Sequence, residues 1–154
     1  MTANAGQETD LRLKDGTVFR FQGLGNLSAL TAIVDPNGNT TTLTVVSLGP
    51  VLRVTQITDP VGRSINLACN SGNLVASATD PLGRMVSYTY NPAGTLATVT
   101  DAGGGTTRFY YNSQNQLTSM VDPRGATVFQ DFYDSNGRVS RQILANGAFH
   151  LPTA

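Results

Sequence analysis

The chain has 154 residues, a formal charge of +0 and only 13% charged residues. Nine of its ten basic residues are Arg, Lys14 is the one lysine, and no basic stretch stands out, which excludes an electrostatic nucleic-acid footprint. No apolar run approaches the ~18 residues that span a bilayer, and Cys69, being alone, can form neither an internal disulfide nor a cysteine metal site.

In chain order, Met1–Asp10 has no charged n-region and no apolar h-region, so it is not a secretory signal; residues 1–10 are expected to form a loose tail. Leu11–Phe21 (LRLKDGTVFRF) predicts a hairpin about a two-residue Asp15-Gly16 turn. From there one turn signature recurs. Asp35-Pro36-Asn37-Gly38, Asp59-Pro60-Val61-Gly62, Asp80-Pro81-Leu82-Gly83 and Asp122-Pro123-Arg124-Gly125 carry it, and Asp101-Ala102-Gly103-Gly104 keeps the frame without Pro. These aspartates (35, 59, 80, 101, 122) lie 24, 21, 21 and 21 residues apart. A fixed period means an array of one supersecondary unit. Asp caps the turn with its side chain, Pro presets φ, and Gly accepts the positive φ that closes it.

After each turn the residues six, eight and ten past the Asp alternate as a half-buried strand does. They are Thr41, Leu43, Val45; Ile65, Leu67, Cys69; Val86, Tyr88, Tyr90; Thr107, Phe109, Tyr111; and Val128, Gln130, Phe132. Second turns follow at Asn91-Pro92-Ala93-Gly94, Asn112-Ser113-Gln114-Asn115 and Asp134-Ser135-Asn136-Gly137. The return strands place apolar residues three apart, at Leu30/Ile33, Val54/Ile57, Val75/Ala78, Leu96/Val99 and Leu117/Met120. One face of a flat strand repeats every second residue, so a spacing of three predicts a bulge in each return strand. Leu144-Ala145-Asn146-Gly147 holds the turn frame once more. The array covers 11–150, residues 151–154 are a tail, and no helix is evident. Five to six units of two strands give ten to twelve strands, in a chain long enough to bury a core.

Candidate chemistry is sparse. Cys69 as a nucleophile needs a base, and His150 is the single histidine; the one reads as strand filler, the other as a loop or edge residue. The turn aspartates are already explained by turn chemistry. Asp131, Asp134 and Asn136 resemble a calcium loop but lack its closing Glu, and Gly103-Gly104-Gly105 has no following helix to hold a phosphate. Arg63, Arg84 and Arg138 follow turn glycines, where they pair with turn carboxylates. Tyr88, Tyr90, Phe109, Tyr111, Phe132 and Tyr133 are expected to stack across neighbouring strands as sheet packing. Tyr88, Tyr90, Phe109 and Tyr111 are also the candidate platform for a sugar ring. No catalytic, cofactor or metal residue is assigned.

The run Gly83-Arg84 to Tyr88-x-Tyr90-Asn91-x-x-Gly94-x-Leu96-x-x-Val99-Thr100-Asp101 resembles the YD repeat of RHS proteins. So do Phe132-Tyr133-Asp134-Ser135-Asn136-Gly137-Arg138-Val139, Tyr110-Tyr111-Asn112 and Leu117–Asp122. The stretch from Asp15 to Asn39 is similar to the start of an RHS core, and the resemblance covers about nine-tenths of the chain. It implies an all-β fold of tandem hairpins in an open, curved antiparallel sheet, a segment of a spiral shell. Such shells occur in polymorphic RHS toxins, in insecticidal toxin complexes and in teneurins, and in the bacterial toxins they enclose a C-terminal toxin domain. The self-cleaving Asp-Pro-x-Gly-Leu/Trp motif of that family has no match here, since Gly62, Gly83 and Gly125 precede Arg63, Arg84 and Ala126.

The expected function is therefore a non-enzymatic wall without cofactors, whose partners are further RHS repeats and a toxin payload. Export would run through a dedicated secretion system to the outside or the cell surface. Self-association through open sheet edges is expected as well. The alternative is a cell-surface adhesion or carbohydrate-binding array; a hydrolase on a β-propeller is more distant, since blade signatures are missing. A ~100-residue payload has a radius of gyration of ~13 Å, hence an outer radius of ~17 Å. A wall whose mid-plane lies ~5 Å further out is ~140 Å around, or roughly 29 strands at ~4.8 Å. Ten to twelve strands make wall, not a container.

Overall fold

The computed structural model describes residues 6–48 and 50–150, with the side chains of Phe149 and His150 outside the described residues, and with them the reading of His150. The first unit, Met1–Arg84, contains β1 (Glu8–Arg12), β2 (Val18–Leu24), β3 (Leu27–Val34), β4 (Thr40–Leu48), β5 (Val51–Thr58), β6 (Ser64–Cys69) and β7 (Val75–Thr79). The second, Met85–Ala154, contains β8 (Met85–Tyr90), β9 (Leu96–Thr100), β10 (Thr106–Tyr111), β11 (Leu117–Val121), β12 (Thr127–Tyr133), β13 (Val139–Leu144) and β14 (Phe149–His150). Within each unit every strand pairs antiparallel with its sequence neighbours, and the first strand never meets the last. The architecture is an all-β hairpin meander in open sheet. Among the described residues no helix is long and apolar enough to cross a membrane.

Each return strand carries the bulge that its apolar spacing predicts. Tyr90 opposes Leu96 while Thr89 opposes Thr98, leaving Ala97 as the extra residue. Thr31, Thr55, Ala76, Thr118 and Ser140 are extra in the same way. The bulge returns residues three apart to one face. Phe21 and Phe19 oppose Leu30 and Ile33; Val45 and Leu43 oppose Val54 and Ile57; Tyr111 and Phe109 oppose Leu117 and Met120.

Each unit of sheet thus has an apolar face and a polar one. The polar face carries neutral cross-strand pairs, among them Thr58 with Ser64 at 2.8 Å, Gln56 with Asn66 at 2.9 Å, Thr89 with Thr98 at 2.7 Å, and Thr100 with Thr106 at 3.0 Å. These fix register at a few tenths of a kcal/mol each, about 0.2–1 kcal/mol by cross-strand precedent.

Several expectations need correction. The paired sheet begins at Glu8, inside the stretch read as tail, because Glu8 and Asp10 reach Arg20 on β2 at 3.1 and 3.2 Å. The first hairpin turns through Leu13–Thr17, with Gly16 N–H donating to Leu13 O, rather than through two residues. With β1 and β14 there are fourteen strands among the described residues, not ten to twelve. In the last unit a further irregularity skips Val128, so Phe129, Asp131 and Tyr133 face the apolar side instead of Val128, Gln130 and Phe132. The expected core is also thin: Val18, Ala29 and Ala32 are the buried hydrophobics among the described residues, and no side chain there is fully buried. Among the described residues each strand packs chiefly against its sequence neighbours in its unit, and such a meander builds no second layer over either face.

Candidate functional site

The turns are the most tightly specified parts of the molecule. In each of the nine that open on Asp or Asn, that side chain's Oδ1 accepts the backbone N–H groups two and four residues on. Asp80 takes Leu82 and Arg84, both at 2.9 Å; Asn112 takes Gln114 and Gln116, both at 3.0 Å. The main chain closes the same loop, with Gly83 N–H donating to Asp80 O and Asp80 N–H to Arg84 O. The fourth residue needs positive φ: Gly83 has φ 79, and where Gly is missing Asn73 and Asn115 stand at φ 65 and 60. Asn is the non-glycine residue that best tolerates this region.

Arg63 and Arg84 lock two of the turns, reaching Asp59 and Asp80 Oδ2 through both Nε and a terminal nitrogen. Arg138 holds its turn through its backbone N–H, which donates to Asp134 Oδ1. Asp80 is held below the usual carboxylate range first by the Arg84 side chain, Asp59 by the Arg63 backbone, and Asp35 by the Asn39 side chain. Depressed native values mean that the carboxylates stabilise the fold above the unfolded pKa of ~3.9, and that this contribution is lost as pH falls through the native values. The amide turns at Asn70, Asn91 and Asn112 do not titrate. We therefore expect the unfolding midpoint of the wild-type chain to drop below about pH 4. A D35N/D59N/D80N variant keeps each Oδ1 acceptor and should show a flatter profile between pH 6 and 2 in a denaturant titration.

The four aromatic candidates lie in the second unit on the apolar face, all half-buried. In the strand register none of the four lies directly opposite another. Each faces an aliphatic residue of its return strand: Tyr88 Val99, Tyr90 Leu96, Phe109 Met120 and Tyr111 Leu117. The outgoing strands carry the rings and the return strands the aliphatics, so consecutive ring-bearing strands are separated by one without rings. Phe132 is on the polar face, under the Arg141 guanidinium at 4.0 Å.

Tyr133 shows a role that strand periodicity alone misses. Its hydroxyl donates to Leu117 O, one strand back, at 2.6 Å. That carbonyl sits beside the Thr118 bulge, where the ladder is interrupted. A Tyr immediately before a turn Asp or Asn is the signal in the sequence, at Tyr90-Asn91, Tyr111-Asn112 and Tyr133-Asp134. Tyr133→Phe should cost about 1 kcal/mol, the net worth of one hydrogen bond, read as a shift in denaturation midpoint at unchanged slope.

The remaining candidates are spread apart. Cys69 is half-buried opposite Val75. Asp131 accepts Gln142 Nε2 at 2.7 Å, while Asp134 accepts its own turn amides. Gly103 and Gly105 donate to Asp101 as in the other turns that open on Asp or Asn. Among the described residues no three His, Cys, Asp or Glu converge as a metal-binding group. Two grooves lie between successive turns. One of about 480 Å³ is lined by Ile57, Ile65, Pro81 and Leu82 beside the two Asp–Arg pairs. The other, about 330 Å³, is lined by Asn112, Gln114, Gln116, Tyr133 and Asp134.

No curated protein matches the chain. The RHS Repeat family model matches residues 70–106 and 90–127. Among solved structures, TcdB2-TccC3-TEV is similar over 86% of this chain, with a TM-score of 0.58 and 15% identity. A Photorhabdus luminescens Tc holotoxin pore is similar over 85%, at TM-score 0.48 and 12% identity. This chain spans 7% and 9% of the lengths of those two chains. Residues 70–127 thus carry two matched RHS repeats in the frame of the turns, and the hairpin meander has the fold of the first of those structures.

Proposed function

We propose that this chain is a stretch of wall in an RHS shell that, with further repeats, isolates a C-terminal toxin domain until delivery outside the producing cell. The observation that carries this is the division of labour along the sequence. The turn, bulge and cross-strand residues are consumed in building, within each unit, a sheet with one apolar and one polar face. Such a surface separates two spaces; it does not converge groups on a reacting atom. Fourteen strands are about half of the roughly 29 that one circuit around a ~100-residue payload needs, so enclosure requires more chain than this.

The test is limited proteolysis of the parent protein. The segment C-terminal to the repeats should stay uncut in the intact protein and be digested when made alone. Equal digestion in both would reject the barrier reading. A second reading, a glycan platform, rests on Tyr88, Tyr90, Phe109 and Tyr111 sharing one face with part of each ring in solvent. It requires a ligand on a glycan array whose binding is lost in both Tyr88→Ala and Phe109→Ala.

A further inference from the structure

The outer edge of β1 is self-complementary, and we propose that it pairs with β1 of a second copy of this chain, antiparallel and about Leu11. The hydrogen-bonding phase of the edge comes first. Leu13 N–H donates inward to Thr17 O, and Gln7 O accepts inward from Gly23 N–H. Residues 7 and 13 therefore point their polar backbone groups at β2. By alternation so do 9 and 11, leaving Glu8, Asp10 and Arg12 with theirs directed out of the sheet. An antiparallel partner must then match even residues to even ones.

Three registers satisfy that condition near the strand centre. One sets Asp10 against Asp10 of the partner copy, and another Arg12 against Arg12; each puts like charges directly opposite, which is destabilising. The register between them places Asp10 against Arg12 and Arg12 against Asp10. It also brings Glu8 opposite Lys14, the first residue of the adjoining turn after Leu13. Every charge on the edge then meets its opposite. On the apolar face the same register joins Leu11 to Leu11 across the two-fold and Leu13 to Thr9. Leu11 and Leu13 are 54% and 44% exposed in the single chain, and Arg12 is 71% exposed. A non-hydrogen-bonded pair has its Cα atoms ~4.5 Å apart, so the two leucines would cover each other. The two-fold is perpendicular to the sheet, and apolar face continues into apolar face.

This inference goes beyond the wall reading and does not depend on what the wall encloses. It is tested on the whole chain by sedimentation and by oxidation of a Cys69→Ser background. The wild type should show a concentration-dependent dimer. Arg12→Glu, which sets Glu against Asp10, should weaken it at least about tenfold while leaving the circular-dichroism spectrum unchanged. Leu11→Cys in the Cys69→Ser background should oxidise to a disulfide-linked dimer, because a self-paired position ~4.5 Å from its copy is within disulfide reach. Thr9→Cys, which faces Leu13 rather than itself, should not. A chain that stays monomeric at all concentrations overturns the proposal, as would happen if the edge were reserved for a strand of a longer parent. So does a dimer indifferent to Arg12→Glu, or one in which Thr9→Cys cross-links as readily as Leu11→Cys.

Discussion

Deleting Ala68 will unfold the β6–β7 hairpin, whereas deleting Ala76, eight residues later, will leave it nearly as stable as before. Ala68 separates Leu67 from Cys69 on the outgoing strand, and both face the apolar side, opposite Ala78 and Val75. Without Ala68 they become consecutive, and consecutive strand residues point to opposite faces. One must turn to the polar face, and the pairing beyond it slips with it. The Asn70 turn, whose Oδ1 holds Gly72 and Leu74 N–H at 2.9 and 3.0 Å, loses its phase with the strands. The expected cost is roughly 2–4 kcal/mol, at the high end for one position. Ala76 is the extra residue of the return strand. Its removal leaves Cys69 opposite Val75, Ala68 opposite Ser77 and Leu67 opposite Ala78 without interruption. The apolar face survives, the bulge and its local twist are lost, and stability changes by about 1 kcal/mol or less. Denaturation of the two deletion variants side by side checks the contrast. Equal damage would mean that the three-residue spacing is not what sets the face.

Gly83→Val is the second large effect. At φ 79 the residue sits in the left-handed region, and a Cβ there meets nothing within 4 Å. The penalty is therefore backbone strain with no packing clash, about 1–2 kcal/mol for an L-residue and worse for a β-branched one. In a 154-residue chain that is roughly 2–8 °C in Tm. Gly83→Asn should cost under about 1 kcal/mol, because Asn73 and Asn115 hold the same turn position natively. A thermal melt of both variants tests this, and a Val variant as stable as the Asn one would contradict the turn geometry. With so few buried side chains to draw on, a penalty of this size is a large share of the stability of a marginal fold.

The repeat and its bulges were legible in the sequence because two different periods are written into each hairpin. Spacing two at Phe109/Tyr111 and spacing three at Leu117/Met120 can share a face only if one return residue is extra, and that residue is Thr118. The last unit escaped this logic. Thr127-Val128-Phe129-Gln130 is apolar or polar at either phase, and the skipped Val128 shows only in the pairing to β11. The first three residues of β1 escaped for a different reason. Glu8-Thr9-Asp10 is polar, so it reads as tail by hydropathy, and its order depends on Arg20 across the hairpin. Asp10 is held below the usual carboxylate range first by the hydrogen bond from the Arg20 side chain. The four aromatic candidates were legible as sharing one face, because strand alternation reveals which face a ring occupies; the aliphatic strand between two ring-bearing strands follows only from the pairing. Tyr133 was read as one more ring, and its hydroxyl bond to the carbonyl beside a bulge follows only from three dimensions.

Amide hydrogen exchange resolved by residue tests the central claim, that the hairpins form continuous wall. In an interior strand one residue bonds to the neighbour on one side and the next residue to the neighbour on the other. Strands β3–β6 and β9–β12 should therefore show slow exchange at nearly every residue apart from the bulges. Slow exchange at alternate residues only, in the middle of either unit, would mean that the hairpins stand apart, and would contradict the wall.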